Sequence, residues 1–315
     1  MGAVAALVAT SPSAFATTPL VQSPQATNPR VLVHYDLSAG QQPENVALTP
    51  DGHLDVVLAR AAQIEQVSPS GARRVLGKLP QPADGGVNTP ALGFSLATGI
   101  VRTDDGTVYV GYAAGDDSLT GIWRLRPGTK PKRVVALSAA SFPNGMALDK
   151  TTGLLYFADS TVGAIWRVPI SGGKPQKWAS GSAFEPRQLL GVNGVKVHNG
   201  AIWVSNSDQA VLLRVPIRRD GSAGPAEKRA SGLQFLDDFS FVGRSDEIIG
   251  ALNQTSQVVQ IHSDGSHETL LTEKDGLEGP TSVALRGGRL YVLSAAYVQS
   301  KDPNILVARY RHGSE

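Results

Sequence analysis

Six residues whose side chains end in oxygen recur at one position of a repeated segment, and drawn together they could hold a hard cation. They are Glu44, Thr98, Asn144, Asn193, Asp237 and Thr281, spaced 54, 46, 49, 44 and 44 residues apart. Each is the second residue of a short segment that turns apolar, from Pro43-Glu44-Asn45-Val46-Ala47-Leu48 to Pro280-Thr281-Ser282-Val283-Ala284-Leu285. The set holds two carboxylates, two amides and two hydroxyls, with no Lys, Arg or His. Two carboxylates packed in a narrow space need a cation or a proton between them. Hard oxygen donors without imidazole favour calcium over zinc. Glu44, Asn144, Asn193 and Asp237 are the expected ligands of a Ca2+ ion. Asp237 is also the candidate catalytic base or nucleophile, because a carboxylate can both ligate and face a substrate. Asp238 is placed to add an outer contact or to help a second ion. Thr98 and Thr281 share the ring position and are candidates to touch substrate, water or metal. Phe94, Phe142, Phe235 and Tyr297 fall near the same turns and are expected to form an apolar pocket, with Phe142 and Tyr297 as substrate-binding residues.

These residues converge only if the repeat brings them to one place. A period in the forties with about four strands per unit is the spacing of β-propeller blades. Each unit continues alike: second strands recur as Val108-Tyr109-Val110, Ile202-Trp203-Val204 and Leu290-Tyr291-Val292, and third strands as Ile122-Trp123-Arg124-Leu125 and Leu212-Leu213-Arg214-Val215. Such β-branched and aromatic alternation suits sheets packed face to face. The expected fold is an all-β, six-bladed β-propeller of four-stranded blades spanning 31–312. The last unit is one strand short, and Val31-Leu32-Val33-His34-Tyr35 precedes the first unit without a blade of its own. The N-terminal strand should therefore close the ring as the outer strand of the last blade. In such a ring the first strand of every blade lines the central channel, so the six repeated residues should gather at one mouth.

Composition narrows the function classes. Thirty-four glycines and 20 prolines in 315 residues fit short strands and turns. With no cysteine, disulfides, thiol nucleophiles and zinc–thiolate or iron–sulfur sites are excluded. The net charge is +2 and the basic residues are scattered; Lys130, Lys132, Arg133, Arg218 and Arg219 read as solvated turn residues, so nucleic acid is not an expected partner. No segment is long and apolar enough to span a membrane. Residues 1–30 read as an export signal and tail: the start is small and apolar, Ala14-Phe15-Ala16 resembles a signal-peptidase site, and a Pro- and Thr-rich stretch follows. No Lys or Arg precedes the apolar run. A secreted or periplasmic monomer is expected. Most of the six histidines, His34, His53, His198, His262, His267 and His312, fall in expected outer strands or turns, where surface or structural roles are expected.

Phe142-Pro143-Asn144-Gly145, Leu155-Tyr156-Phe157-Ala158-Asp159-Ser160 and Pro43-Glu44 are similar to motifs of the gluconolactonase/regucalcin-like calcium-dependent propellers, whose relatives include paraoxonases. The resemblance spans 31–312 and implies a catalytic calcium on Glu44, Asn144, Asn193 and Asp237. An Asn in the fourth unit and an Asp in the fifth resembles the paraoxonase arrangement. The second unit departs from both branches. It reads Ser95-Leu96-Ala97-Thr98-Gly99, without the Arg and Asn of sugar lactonases, which argues against gluconolactone. It also has Thr98 where paraoxonases place a His. The expectation is a calcium-dependent hydrolase acting on a hydrophobic lactone or ester. The alternatives are a non-hydrolytic propeller whose structural calcium supports binding of a ligand or protein, and an enzyme that shapes a hydrophobic substrate without hydrolysis.

Overall fold

The computed structural model of the chain describes residues 1–2 and 25–313. The segment expected as an export signal, with its Ala14-Phe15-Ala16 motif, falls almost entirely in residues 3–24, outside the described residues. The remainder forms six antiparallel four-stranded sheets, and the only helix among the described residues is a 3-10 turn at Glu273–Asp275. Each sheet is a blade. Inner strands run Pro43–Leu48, Leu96–Arg102, Pro143–Asp149, Val192–His198, Leu236–Phe241 and Pro280–Arg286 in blades 1 to 6.

Burial grades outward from the channel as the strand sequences require. Second strands such as Val108–Ala113 and Ala201–Asn206 are buried at every position, because both of their faces meet neighbouring blades. Outer strands such as Arg73–Lys78 are exposed or half-buried. Lys132 and Arg133, read as turn residues, instead begin the outer strand Lys132–Ala136 of blade 2, where they face solvent or lie half-buried. Apolar layers fill each junction between blades. Val57 and Ile64 of blade 1 meet Val110 and Trp123 of blade 2, and Leu213 and Val215 of blade 4 lie in one layer with Tyr156 and Ile165 of blade 3.

The ring closes through the N-terminal strand. Gln25–His34 pairs antiparallel with Asn304–Arg311, with Val31 opposite Leu306 and His34 opposite Asn304, and forms the outer strand of blade 6. It begins at Gln25, inside the stretch expected as tail. The chain then crosses to blade 1: Val33 and Tyr35 sit in the layer with Leu54, Val56, Tyr291 and Leu293. The Tyr35 hydroxyl donates to Glu65 Oε1 at 2.5 Å, and Arg73 both pairs with Glu65 and stacks on the Tyr35 ring. One strand therefore joins the first and last blades.

Candidate functional site

Every inner strand is bulged at its repeated residue. Pairing with the second strand skips between Pro43 and Asn45, Ala97 and Ile100, Pro143 and Met146, Val192 and Val195, Leu236 and Phe239, and Pro280 and Ser282. A bulge inserts unpaired backbone and re-aims a side chain, and here it occurs six times at one end of the channel. In blades 2, 3 and 4 a glycine follows. A Cβ on Gly99 would collide with the Asn144 carbonyl, one on Gly145 with the Asn193 carbonyl, and one on Gly194 with the Asp237–Asp238 segment. The two Asn-Gly pairs are thus sites of close approach between blades rather than turns.

Glu44, Asn144, Asn193 and Asp237 all line one cavity of about 760 Å³ at this mouth, and each is nearly inaccessible to solvent. Burial pushes the Glu44 carboxyl up to about 7, with Asp238 adding to the rise and the Tyr297 hydrogen bond opposing it. Burial drives Asp237 well above the carboxylate range, reinforced by the charges of Glu44 and Asp238 and opposed by a hydrogen bond from Asn193. No basic side chain figures among the groups that set either ionisation. The Tyr297 hydroxyl donates to Glu44 Oε2 at 2.6 Å, and its ring lines the cavity.

The two asparagines are oriented by serines. Ser160 Oγ donates its single proton to the Val192 carbonyl (2.6 Å), so toward Asn144 it can only accept, from Nδ2 at 3.1 Å. Ser207 Oγ likewise donates to the Leu236 carbonyl (3.0 Å) and accepts from Asn193 Nδ2, also at 3.0 Å. Both amides therefore turn nitrogen to the serine and keep Oδ1 free for another ligand. Ser160 and Ser207 follow the second strands Leu154–Asp159 and Ala201–Asn206 at one equivalent position. Asn253 holds that position in blade 5, lines the cavity, and was not expected from sequence. The signal was the repeat itself, one strand further on.

Thr98 and Thr281 share the ring position but do not line the cavity. Thr98 Oγ1 donates to the Pro143 carbonyl at 2.7 Å, and Thr281 Oγ1 to the Pro43 carbonyl at 3.0 Å. With Ser160 and Ser207 they form one device: a side chain of one blade clasps the carbonyl just before the next blade's ring residue. The two threonines are placed as fasteners of the ring, not as contacts to a substrate. Asp238 points elsewhere too. It accepts from Lys196 Nζ at 2.5 and 2.7 Å, from Asn45 at 3.1 Å and from Ser282 at 3.2 Å, so an ammonium already neutralises it.

Part of the wall is apolar. Phe142, Leu96 and Leu190 form a buried cluster with Leu92, Phe94, Phe235 and Tyr297 against it. The loop before blade 4 is fixed by Asp208 Oδ2, which accepts the backbone N–H groups of Arg187, Gln188 and Leu189 at 2.9, 2.8 and 2.7 Å. Among the described residues no histidine lines the cavity; His34 pairs with Asp302, and His262 lies between Glu247 and Glu268. No group of three or more His, Cys, Asp or Glu side chains among the described residues is placed to hold a metal. A cation here would need the amide oxygens beside the two carboxylates. Four oxygen donors, two of them buried carboxylates without a cationic partner, fit a hard divalent ion.

Fold and site define a six-bladed β-propeller with an oxygen-lined cavity at one mouth of its channel. No protein-family model matches the chain, and no curated protein sequence matches it. Among solved structures it is similar to a gluconolactonase from Xanthomonas campestris (14% identity, 92% of this chain and 98% of that one, TM-score 0.64). It is similar to the PQQ-bound aldose sugar dehydrogenase of Streptomyces coelicolor (16% identity, 92% and 99%, TM-score 0.64). A third is virginiamycin B lyase from Staphylococcus aureus (13% identity, 91% and 99%, TM-score 0.59). At these identities the likeness is one of fold.

Proposed function

We propose that the chain is a calcium-dependent hydrolase of a lactone or related ester. The observation that carries this reading is the pairing of Glu44 and Asp237, two buried carboxylates with no basic partner, beside two amides held oxygen-outward in an apolar cavity. Glu44, Asn144, Asn193 and Asp237 would hold the ion, which when bound supplies Lewis-acid polarisation of a carbonyl oxygen. Asp237 serves as the base toward water, because burial and the neighbouring charges of Glu44 and Asp238 raise its proton affinity well above that of an ordinary aspartate. Tyr297 holds one Glu44 oxygen and restrains that carboxylate. Phe142, Leu190 and Phe235 exclude solvent and accept the apolar part of the substrate. The fold likeness to a gluconolactonase is compatible with this chemistry and does not name the substrate.

The test is a panel of lactones and aryl esters with and without chelator. Turnover should vanish on chelation, return with calcium, and fall about 10²–10⁴-fold in Asp237→Asn. Unchanged turnover in Asp237→Asn and Glu44→Gln would overturn the reading. One observation favours a second reading, a non-hydrolytic propeller with a structural calcium: the cavity has no imidazole, and Thr98 of blade 2 is turned away from it. On that reading chelation lowers the melting temperature and no ester is turned over. Export to a secreted or periplasmic location is proposed on the apolar start and the Ala14-Phe15-Ala16 pattern alone.

A further inference from the structure

The cavity has one cationic side. Arg60, in the turn between the second strand Leu54–Leu58 and third strand Gln63–Val67 of blade 1, lines it, and so does Lys78 at the end of that blade's outer strand. Among the described residues neither forms an ion pair. The Arg60 guanidinium lies over the Phe94 ring at 4.3 Å, and among the described residues no hydrogen bond engages its nitrogens. A stacked guanidinium with free N–H groups is a preformed fork for carboxylate or phosphate. Its backbone is fixed as well: Gln81 Nε2 donates to the Arg60 carbonyl at 2.9 Å, and the Ala61 N–H to the Gly40 carbonyl at 2.9 Å. Gly40 has a positive φ and packs against Arg60 and Ala61, where a side chain would crowd the turn. Arg60 lines the same cavity as Tyr297 and Glu44. The Phe94 ring under Arg60 packs on the apolar cluster of Phe142 and Leu190, which with Phe235 lines the same cavity.

The charged groups lining the cavity are Glu44 and Asp237 against Arg60 and Lys78. Among the described residues neither cation pairs with either carboxylate, so a divalent ion held on Glu44 and Asp237 leaves Arg60 and Lys78 as positive charge without a partner in the cavity. We infer that Arg60 is the specificity-determining residue of this site, selecting substrates that join an apolar body to an anionic carboxylate or phosphate group, with Lys78 assisting through its field. The inference rests on the hydrolase reading for the word substrate, and on the cavity alone for the anion.

Binding and turnover separate the two. Calcium-loaded protein is titrated calorimetrically with p-nitroanilides of straight-chain dicarboxylic acids, each paired with its neutral methyl ester, and with a phosphate-terminated homologue. The anionic member of a pair should bind about tenfold more tightly, as a charge-assisted contact near solvent provides. Arg60→Gln should erase that preference, Arg60→Lys should keep part of it, and Lys78→Gln should reduce it slightly. Arg60 is exposed, so melting temperatures should not move. A phosphate homologue bound more tightly than the carboxylate supports the inference and names the head group. Equal binding of charged and neutral partners overturns it. So does a preference that survives Arg60→Gln, which would put the anion on the calcium. The p-nitrophenyl half-esters of the same acids report turnover. A charge preference without turnover removes the hydrolase reading and leaves the anion site standing; turnover without a charge preference does the reverse.

Discussion

Replacing Glu44 by Gln should make the metal-free protein more stable and the calcium-loaded protein less so. The Glu44 carboxyl rises from 4.5 to about 7 on folding, chiefly through burial. Between those values the unfolded chain has released a proton that the folded chain retains, so stability falls as pH rises through the window. Above the folded value the full penalty is present, about 3 kcal/mol at roughly 1.4 kcal/mol per unit. The amide introduced by Glu44→Gln has no proton to lose and can still accept the Tyr297 hydroxyl, so at pH 8 in chelator the variant should melt about 5 °C above wild type. Below pH 4.5 the side chain is neutral in both proteins and the gap should close. Calcium reverses the order. At a free concentration a thousandfold over its dissociation constant it adds about 4 kcal/mol to the wild type, whereas the variant lacks one of two charged ligands. Thermal melts at pH 4.5 and pH 8, on metal-free protein and with a calcium series, read the crossover directly. A variant less stable than wild type in chelator at pH 8 would refute the claim that Glu44 is an uncompensated buried anion. A gap independent of pH would assign the effect to packing.

Three further outcomes follow from the ring. Thr98→Val removes the hydroxyl on the Pro143 carbonyl and should cost about 1–3 kcal/mol of stability while leaving kcat/KM and calcium affinity unchanged; a loss of activity at normal calcium affinity would return Thr98 to the substrate. Ser160→Ala leaves the Asn144 N–H and the Val192 carbonyl without partners, at a similar cost of about 1–3 kcal/mol. It also frees the amide to turn, so calcium affinity measured by titration should fall, with Ser207→Ala acting alike. Deleting residues 25–34 strips blade 6 of its outer strand and removes Val33 from the closing layer. Melting should remain a single transition displaced downward for the whole domain, and a normal midpoint would show that the ring closes without this strand.

The repeat was legible because propeller blades are built from hydrophobic alternation, and alternation is a property of residue order alone. The same order located Glu44, Asn144, Asn193 and Asp237, since equivalent positions in a closed ring must converge. It failed where the role of an atom depends on a neighbour distant in the chain. Thr98 and Asn144 carry the same repeat index and both end in oxygen. The Thr98 hydroxyl proton is taken by the Pro143 carbonyl of the next blade, while the Asn144 amide is held by Ser160 with its oxygen left free. Asp237 and Asp238 are adjacent, yet the bulge sends one into the cavity and the other down to Lys196, 42 residues away in sequence. Residue type states what a side chain can donate or accept. Only the packed ring determines which of those capacities its neighbours have already used, and the chemistry of this mouth belongs to the groups that remain.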